Sequence, residues 1–272
     1  MSRGGSREVE KLSISDLSYS PYLTIIDKLK ALITSLFSAG EQGAFYIPRP
    51  VVNGTQALFQ DAAGTVAVTA DGDPVGKMLD QSGNGNHAIQ TVNASRPVYR
   101  TDGTLHWLEP DGVDDNLLTD FTTLTGTRCG ASIAASWSDD ILNVKAAGSG
   151  FSDFTFRLVG NGFNIYQSAP QRTDYFSVIT SRTSADVSVV TAIASESNAK
   201  TWQNGVEQGS RTTGAFLDFD SQGQPQRITL LATDSGGFSS GLFYGAVVSL
   251  GYVESQKDQV EAYLADLAGV TL

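Results

Sequence analysis

The chain has 272 residues, 40% of them hydrophobic, which supports one sizeable core and points to one large domain with extras or two small ones. A formal net charge of −11 repels phosphate backbones and anionic bilayers, so neither nucleic acid nor membrane insertion is expected. The single cysteine, Cys129, excludes an intrachain disulfide and a cysteine-based zinc site, and it is expected to be a buried thiol.

Residues 1–20 read as a polar extended arm without an apolar segment of the secretory type, so no signal peptide is expected. Ser20 and Pro21 suit the cap and first turn of a helix. Tyr22, Ile25, Leu29, Leu32 and Leu36 follow at spacings of three and four, and Gly40 is a plausible stop. This stripe has two readings. It docks on the chain's own domain, or it forms an oligomerising or docking seam. The expected organisation is therefore an arm and amphipathic docking helix over 1–40, then one domain over 41–272.

From residue 41 to 252 the chain alternates short β-like runs with turn signals, and no helical pattern separates them. Phe154–Val159 and Phe163–Gln167 flank Gly160–Asn161–Gly162 as a hairpin, with Phe154, Phe156 and Leu158 on one buried face. Tyr175–Thr180 and Val187–Ala194 follow. Asn204–Gly205 is the strongest turn signal, between Lys200–Gln203 and Val206–Gln208. Ile228–Ala232 and Phe243–Tyr252 complete the strands. Over 255–268, Ser255 is expected to cap a helix with Asp258 in its first turn, a stripe of Val260, Tyr263, Leu264 and Leu267, and Gly269 after it. The pattern is mainly β: an antiparallel sandwich or jelly roll, with an N-terminal arm and helix and a short C-terminal helix.

Several side chains are candidates for a site. Asp80, Ser82, Asn84 and Gly85 open like an EF-hand loop, but Thr91 stands where the bidentate Glu is required. A tight Gly/Asn turn accounts for the segment; a looser Ca²⁺ site on Asp80 and Asn84, helped by Asp111, Asp114 or Asp115, is the alternative. No other cofactor is implied. Glu109, Asp111 and Asp114 are spaced like a jelly-roll glycosidase stretch, yet Pro110 and Gly112 interrupt any regular strand that would aim them together. They are therefore expected not to be catalytic. His87 and His106 have no motif partners. Trp107, Trp137 and Trp202 are expected mainly in the core, Trp202 being the one expected at the surface beside the Asn204 turn.

Asp80–His87 (DQSGNGNH), Arg96–Pro97–Val98 and Leu108–Leu118 (LEPDGVDDNLL) resemble concanavalin A-like, laminin-G-like lectin domains of bacteriophage virion proteins. Ser38–Tyr46, Leu58–Pro74, Thr201–Val206 and Leu242–Leu272 extend the resemblance over roughly residues 38–272. It implies a virion structural protein and not an enzyme, foremost a tail fibre or tail-tip component contacting a host glycan or receptor. A capsid decoration protein or head fibre is the alternative, and a jelly-roll glycan hydrolase a distant one. Trp202, Asn204, Asp114 and Asp115 are the expected ligand contacts. Partners would be other virion proteins, with a homotrimer implied by the habit of phage fibres.

Overall fold

The computed structural model describes residues 25–119, 128–136, 141–146, 155–159, 162–169, 172–179, 186–195, 198–212, 226–232 and 237–272; for the strands between 155 and 179 the description is of the backbone. The expected arm, Ser20, Pro21, Tyr22 and Trp137 lie outside these residues, as do the side chains of Ile25, Phe154, Phe156 and Leu158.

Two antiparallel sheets face each other. The first runs, edge to edge, Val206–Thr212, Asn198–Gln203, Ser188–Ser195, Arg128–Ser136, Leu242–Ser249, His106–Glu109 and Val98–Thr101, with Gly43–Tyr46 also paired to Leu242–Ser249. The second runs Arg172–Ile179, Gly162–Ala169, Thr155–Val159, Leu142–Ala146, Gln226–Leu230, Leu117–Leu118, Ala88–Ile89, Lys77–Met78 and Leu58–Phe59. This is the expected jelly-roll sandwich. Both expected hairpins form: Val159 pairs with Gly162, and Gln203 pairs with Val206. Asn204 (φ 47°) and Gly205 (φ 80°) supply the left-handed pair of a type I′ turn.

Strand alternation divides the buried residues into two cores. Between the sheets lie Tyr46, Leu58, Met78, Leu108, Cys129, Ile133, Leu142, Ile228 and Phe243, all fully buried. Cys129 is buried, as expected, and burial pushes its thiol up to about 12. The outer face of the first sheet carries a second core, roofed by two helices: α1 (Ile25–Phe37) and α2 (Lys257–Ala268).

The α1 stripe resolves the choice left open by its spacing. Leu29, Leu32 and Leu36 are buried against the chain's own second core, together with Phe45, Tyr263 and Leu264. Side-chain bonds fix the helix there. Gln256 donates to the Ser35 carbonyl at 2.6 Å, Ser249 Oγ donates to the Leu36 carbonyl, and Lys28 pairs with Asp266. The expected docking seam is corrected on this point: its leucines are already covered, so they offer no open stripe to a partner.

Helix α2 starts two residues later than expected. A 3₁₀ turn, Glu254–Gln256, precedes it, and Gln256 Oε1 accepts the Val253 N–H, so Ser255 is not the cap. Val260, Tyr263, Leu264 and Leu267 are buried as expected, and Gly269 ends the helix at φ 66°. Among the described residues no helix is long and apolar enough to cross a membrane.

Candidate functional site

Alternation on the outer face of the first sheet brings Arg128, Ile193, Ser195, Asn198, Lys200 and Trp202 to one side. The register pairs Arg128 with Ser195, Ile193 with Lys200 and Thr191 with Trp202. Val253 and Glu254, just ahead of helix α2, complete the lining. The result is an open cleft of about 170 Å³ lined by these eight residues.

Its chemistry is mixed. Lys200 Nζ lies 2.9 Å from both carboxylate oxygens of Glu254, which neutralises that pair and raises the lysine pKa. Arg128 is exposed and has no carboxylate partner among the described residues. The side-chain oxygen of Asn198, Oδ1, is buried without a hydrogen-bond partner among the described residues, whereas most such atoms in proteins have one. Trp202 forms the floor. It is only 4% exposed, and the ammonium groups of Lys257 and Lys200 lie 5.5 and 5.9 Å from its ring centroid.

That burial corrects the expectation of an exposed Trp202 platform. The outer face of its strand is not solvent but the second core, so the ring packs beneath the α2 terminus. Asn204 is likewise occupied: its Oδ1 accepts the Val189 N–H, and its own N–H donates to the Val189 carbonyl. It holds the hairpin to the neighbouring strand.

The Asp80 loop is closed by hydrogen bonds. Asp80 Oδ1 accepts the Phe45 and Ser82 N–H groups at 2.8 Å, and Oδ2 accepts Ser82 Oγ and the Asn86 N–H. Burial raises its pKa, against the pull of those donors. Asn84 Nδ2 donates to the Glu41 and Gly43 carbonyls. The carboxylate thus faces donors on both oxygens, the arrangement of a tight turn fastening residues 80–86 to the strand Gly43–Tyr46. His87 Nδ1 accepts the Asp80 N–H, and His106 Nδ1 lies 2.6 Å from the Tyr99 hydroxyl.

The acids of the 109–115 loop are brought together without a regular strand. Asp111, Asp114 and Asp115 offer carboxylate oxygens within 4.8 Å of one another. Asp115 Oδ2 accepts the Asp111 N–H, Asp111 Oδ1 accepts the Val113 N–H, and Asp114 Oδ2 accepts Ser95 Oγ. Burial, then the charges of Asp111 and Asp114, raises the Asp115 pKa to about 6. No regular strand aims Glu109, Asp111 and Asp114 together; a turn gathers Asp111 and Asp114 with Asp115 instead. Glu109 is not among them. It pairs with Arg100 at 2.6 Å.

Of the expected ligand contacts, only Trp202 reaches the cleft. Arg128, Asn198 and Lys200 were legible as alternating positions in Arg128–Ser136 and Asn198–Gln203, but no local signal joined them to Glu254.

No protein-family model and no curated protein matches this chain. Solved structures do. A mutant GH54 α-L-arabinofuranosidase soaked with 4-nitrophenyl α-L-arabinofuranoside aligns at 14% identity and TM-score 0.55, over 90% of this chain and 65% of that one. A point mutant of the NanB sialidase from Streptococcus pneumoniae aligns at 15% identity and TM-score 0.41, over 50% of this chain and 24% of that one. The CBM40 domain of the Ruminococcus gnavus IT-sialidase, bound to α2,3-sialyllactose, aligns at 13% and TM-score 0.43, over 57% and 94%. The chain spans 26% and 50% of the first sialidase and arabinofuranosidase chains it matches.

At such identities the likeness is one of fold: a lectin-like β-sandwich. It overturns the expectation of a non-enzyme. The architecture aligns with that of a GH54 α-L-arabinofuranosidase, so resemblance of fold cannot exclude catalysis.

Proposed function

We propose that the chain is a glycan-engaging β-sandwich module, and that it belongs to the surface of a bacteriophage particle. The observation that carries the first half is the cleft between the outer face of the first sheet and the α2 terminus. It combines a guanidinium and an amide oxygen that have no partner among the described residues, a hydroxyl, and the apolar edges of Ile193, Val253 and Trp202. Sugars present hydroxyls around a ring with apolar faces, and sites of this kind use a few convergent polar groups on an apolar floor. The second half is supported by the sequence resemblance of residues 71–118 to phage virion domains. A tail fibre or tail tip is the first assignment, and a capsid decoration protein or head fibre the second.

The experiment is a glycan array probed with the full-length chain and with the Asn198→Ala/Lys200→Ala double variant. The reading expects selective retention that the double variant loses while its melting curve stays cooperative. Retention of no glycan by either protein refutes it. Immunogold labelling of particles tests the virion assignment, and absence from purified particles overturns it.

A second reading, cleavage of the glycan, is favoured by the Asp111, Asp114 and Asp115 trio. Its carboxylate oxygens lie within 4.8 Å of one another, against about 5–5.5 Å between the carboxyls of retaining glycosidases, and one member is raised to about 6. Reducing-sugar release from retained glycans, abolished in Asp115→Asn, is its expected outcome. Undiminished release in that variant contradicts it.

A further inference from the structure

We propose that the cleft takes an acidic sugar, a pyranose bearing a carboxylate, with Arg128 as the partner of that carboxylate. This rests on the reading of the cleft as a glycan site and adds the class of glycan.

The argument begins with charge. The chain carries 29 acids against 18 bases, so a basic group in a cleft has many possible carboxylate neighbours. Lys200 has found one in Glu254, with both oxygens at 2.9 Å. Arg128 has found none among the described residues. Its strand position puts it beside Ser195, on the same face as Ile193 and Lys200. Among the described residues the cleft therefore holds one neutralised pair and one cation without a counter-charge. A guanidinium binds a carboxylate through two parallel N–H donors, a geometry that a hydroxyl cannot match.

The remaining groups suit the rest of a pyranose. Asn198 lines the cleft and its buried Oδ1 lacks a donor among the described residues; a turn of the amide about its last torsion would offer that oxygen to a ring hydroxyl. Ser195 Oγ donates to the Asn198 carbonyl at 3.3 Å, leaving its lone pairs to accept a second hydroxyl. Ile193, Val253 and the Trp202 edge provide apolar surface for a ring face. A cleft of about 170 Å³ admits a single sugar unit better than a chain. The ligand is thus recognised at one residue, at a terminus or a branch. Glu254, held by Lys200, faces the same space and disfavours a second negative charge on the ligand.

Calorimetric titration of the full-length chain tests this. The probes are D-glucuronate and D-galacturonate, with glucose and galactose as neutral counterparts and acetate as a bare carboxylate. The variants are Arg128→Gln, Arg128→Lys and Asn198→Ala, each checked by circular dichroism. The expected result is that a uronate binds at least tenfold more tightly than its neutral counterpart and than acetate. Arg128→Gln should erase that preference, Arg128→Lys should restore only part of it, and Asn198→Ala should weaken uronate but not acetate. Equal binding of uronate and neutral sugar overturns the acidic-sugar inference while leaving the glycan reading in place. Equal binding of acetate and uronate identifies simple anion adsorption and overturns the inference too. Binding of no saccharide at all overturns both.

Discussion

The Lys257–Glu261 pair gives a quantitative prediction about the α2 roof. Glu261 is fully buried. One of its oxygens accepts Lys257 Nζ at 2.9 Å, and the other has no partner among the described residues. Lys257 is 7% exposed, touches Asp258 at 2.6 Å and lies over the Trp202 ring. The Asp258 contact reaches a carboxylate with 89% side-chain exposure, so it contributes little. Removing the lysine strands a buried carboxylate, which typically costs about 3–5 kcal/mol. Lys257→Met should therefore lower stability by that amount, or about 6–20 °C in Tm for a domain of this size. Glu261→Leu should cost less, because Lys257 keeps Asp258 and can extend toward water. Lys257→Met/Glu261→Leu should recover at least half of the single-variant loss, since a buried pair replaced by apolar side chains is often neutral. Urea unfolding of the four proteins measures all three quantities. A Lys257→Met cost under about 1 kcal/mol, or a double variant as unstable as Lys257→Met, would show that the carboxylate is not stranded and refute the reasoning.

Other substitutions test other parts of the account. Asp115 is raised from 3.8 to about 6, so the folded state holds its proton more tightly than the unfolded chain and stability falls as pH rises through that window. Asp115→Asn should flatten the Tm profile between roughly pH 4 and 6 and raise Tm at pH 7.5; an unchanged profile contradicts this. Asp80→Asn puts an NH₂ group opposite the donors on one carboxylate oxygen, and an orphaned donor costs about 1–3 kcal/mol; equal urea midpoints would mean that the loop is not closed by Asp80. Trp202→Ala should cost about 3–5 kcal/mol, as large core truncations do, whereas a surface platform would lose ligand with its stability intact.

Much of the sandwich was legible because period-2 patterning and turn chemistry are local. The Asn204–Gly205 turn, the Gly160–Gly162 hairpin and the Val260–Leu267 stripe all lie within short windows, and all form where expected. What failed were inferences about which surface is outside. Trp202 alternates correctly, but its outward face lies under α2, a helix more than fifty residues later. The Leu29, Leu32 and Leu36 stripe was correctly apolar, yet its spacing cannot say whether the covering surface belongs to the same chain. The 109–115 loop was legible only in part: Pro110 and Gly112 argue against a strand aiming Glu109, Asp111 and Asp114 together, but not for the turn that gathers Asp111, Asp114 and Asp115. The Arg128, Asn198, Lys200 and Glu254 cleft draws on three strands and a helix entry, so no stretch of sequence contains it.

The central claim is that a sugar sits between the first sheet and the α2 terminus. Backbone amide shifts of the full-length chain during titration with D-galacturonate test it most directly. The account predicts saturable changes concentrated at Arg128, Ser195, Asn198, Lys200 and Glu254, and their loss in Arg128→Gln. Changes concentrated instead at Asp111–Asp115, or none at saturating sugar, would contradict it.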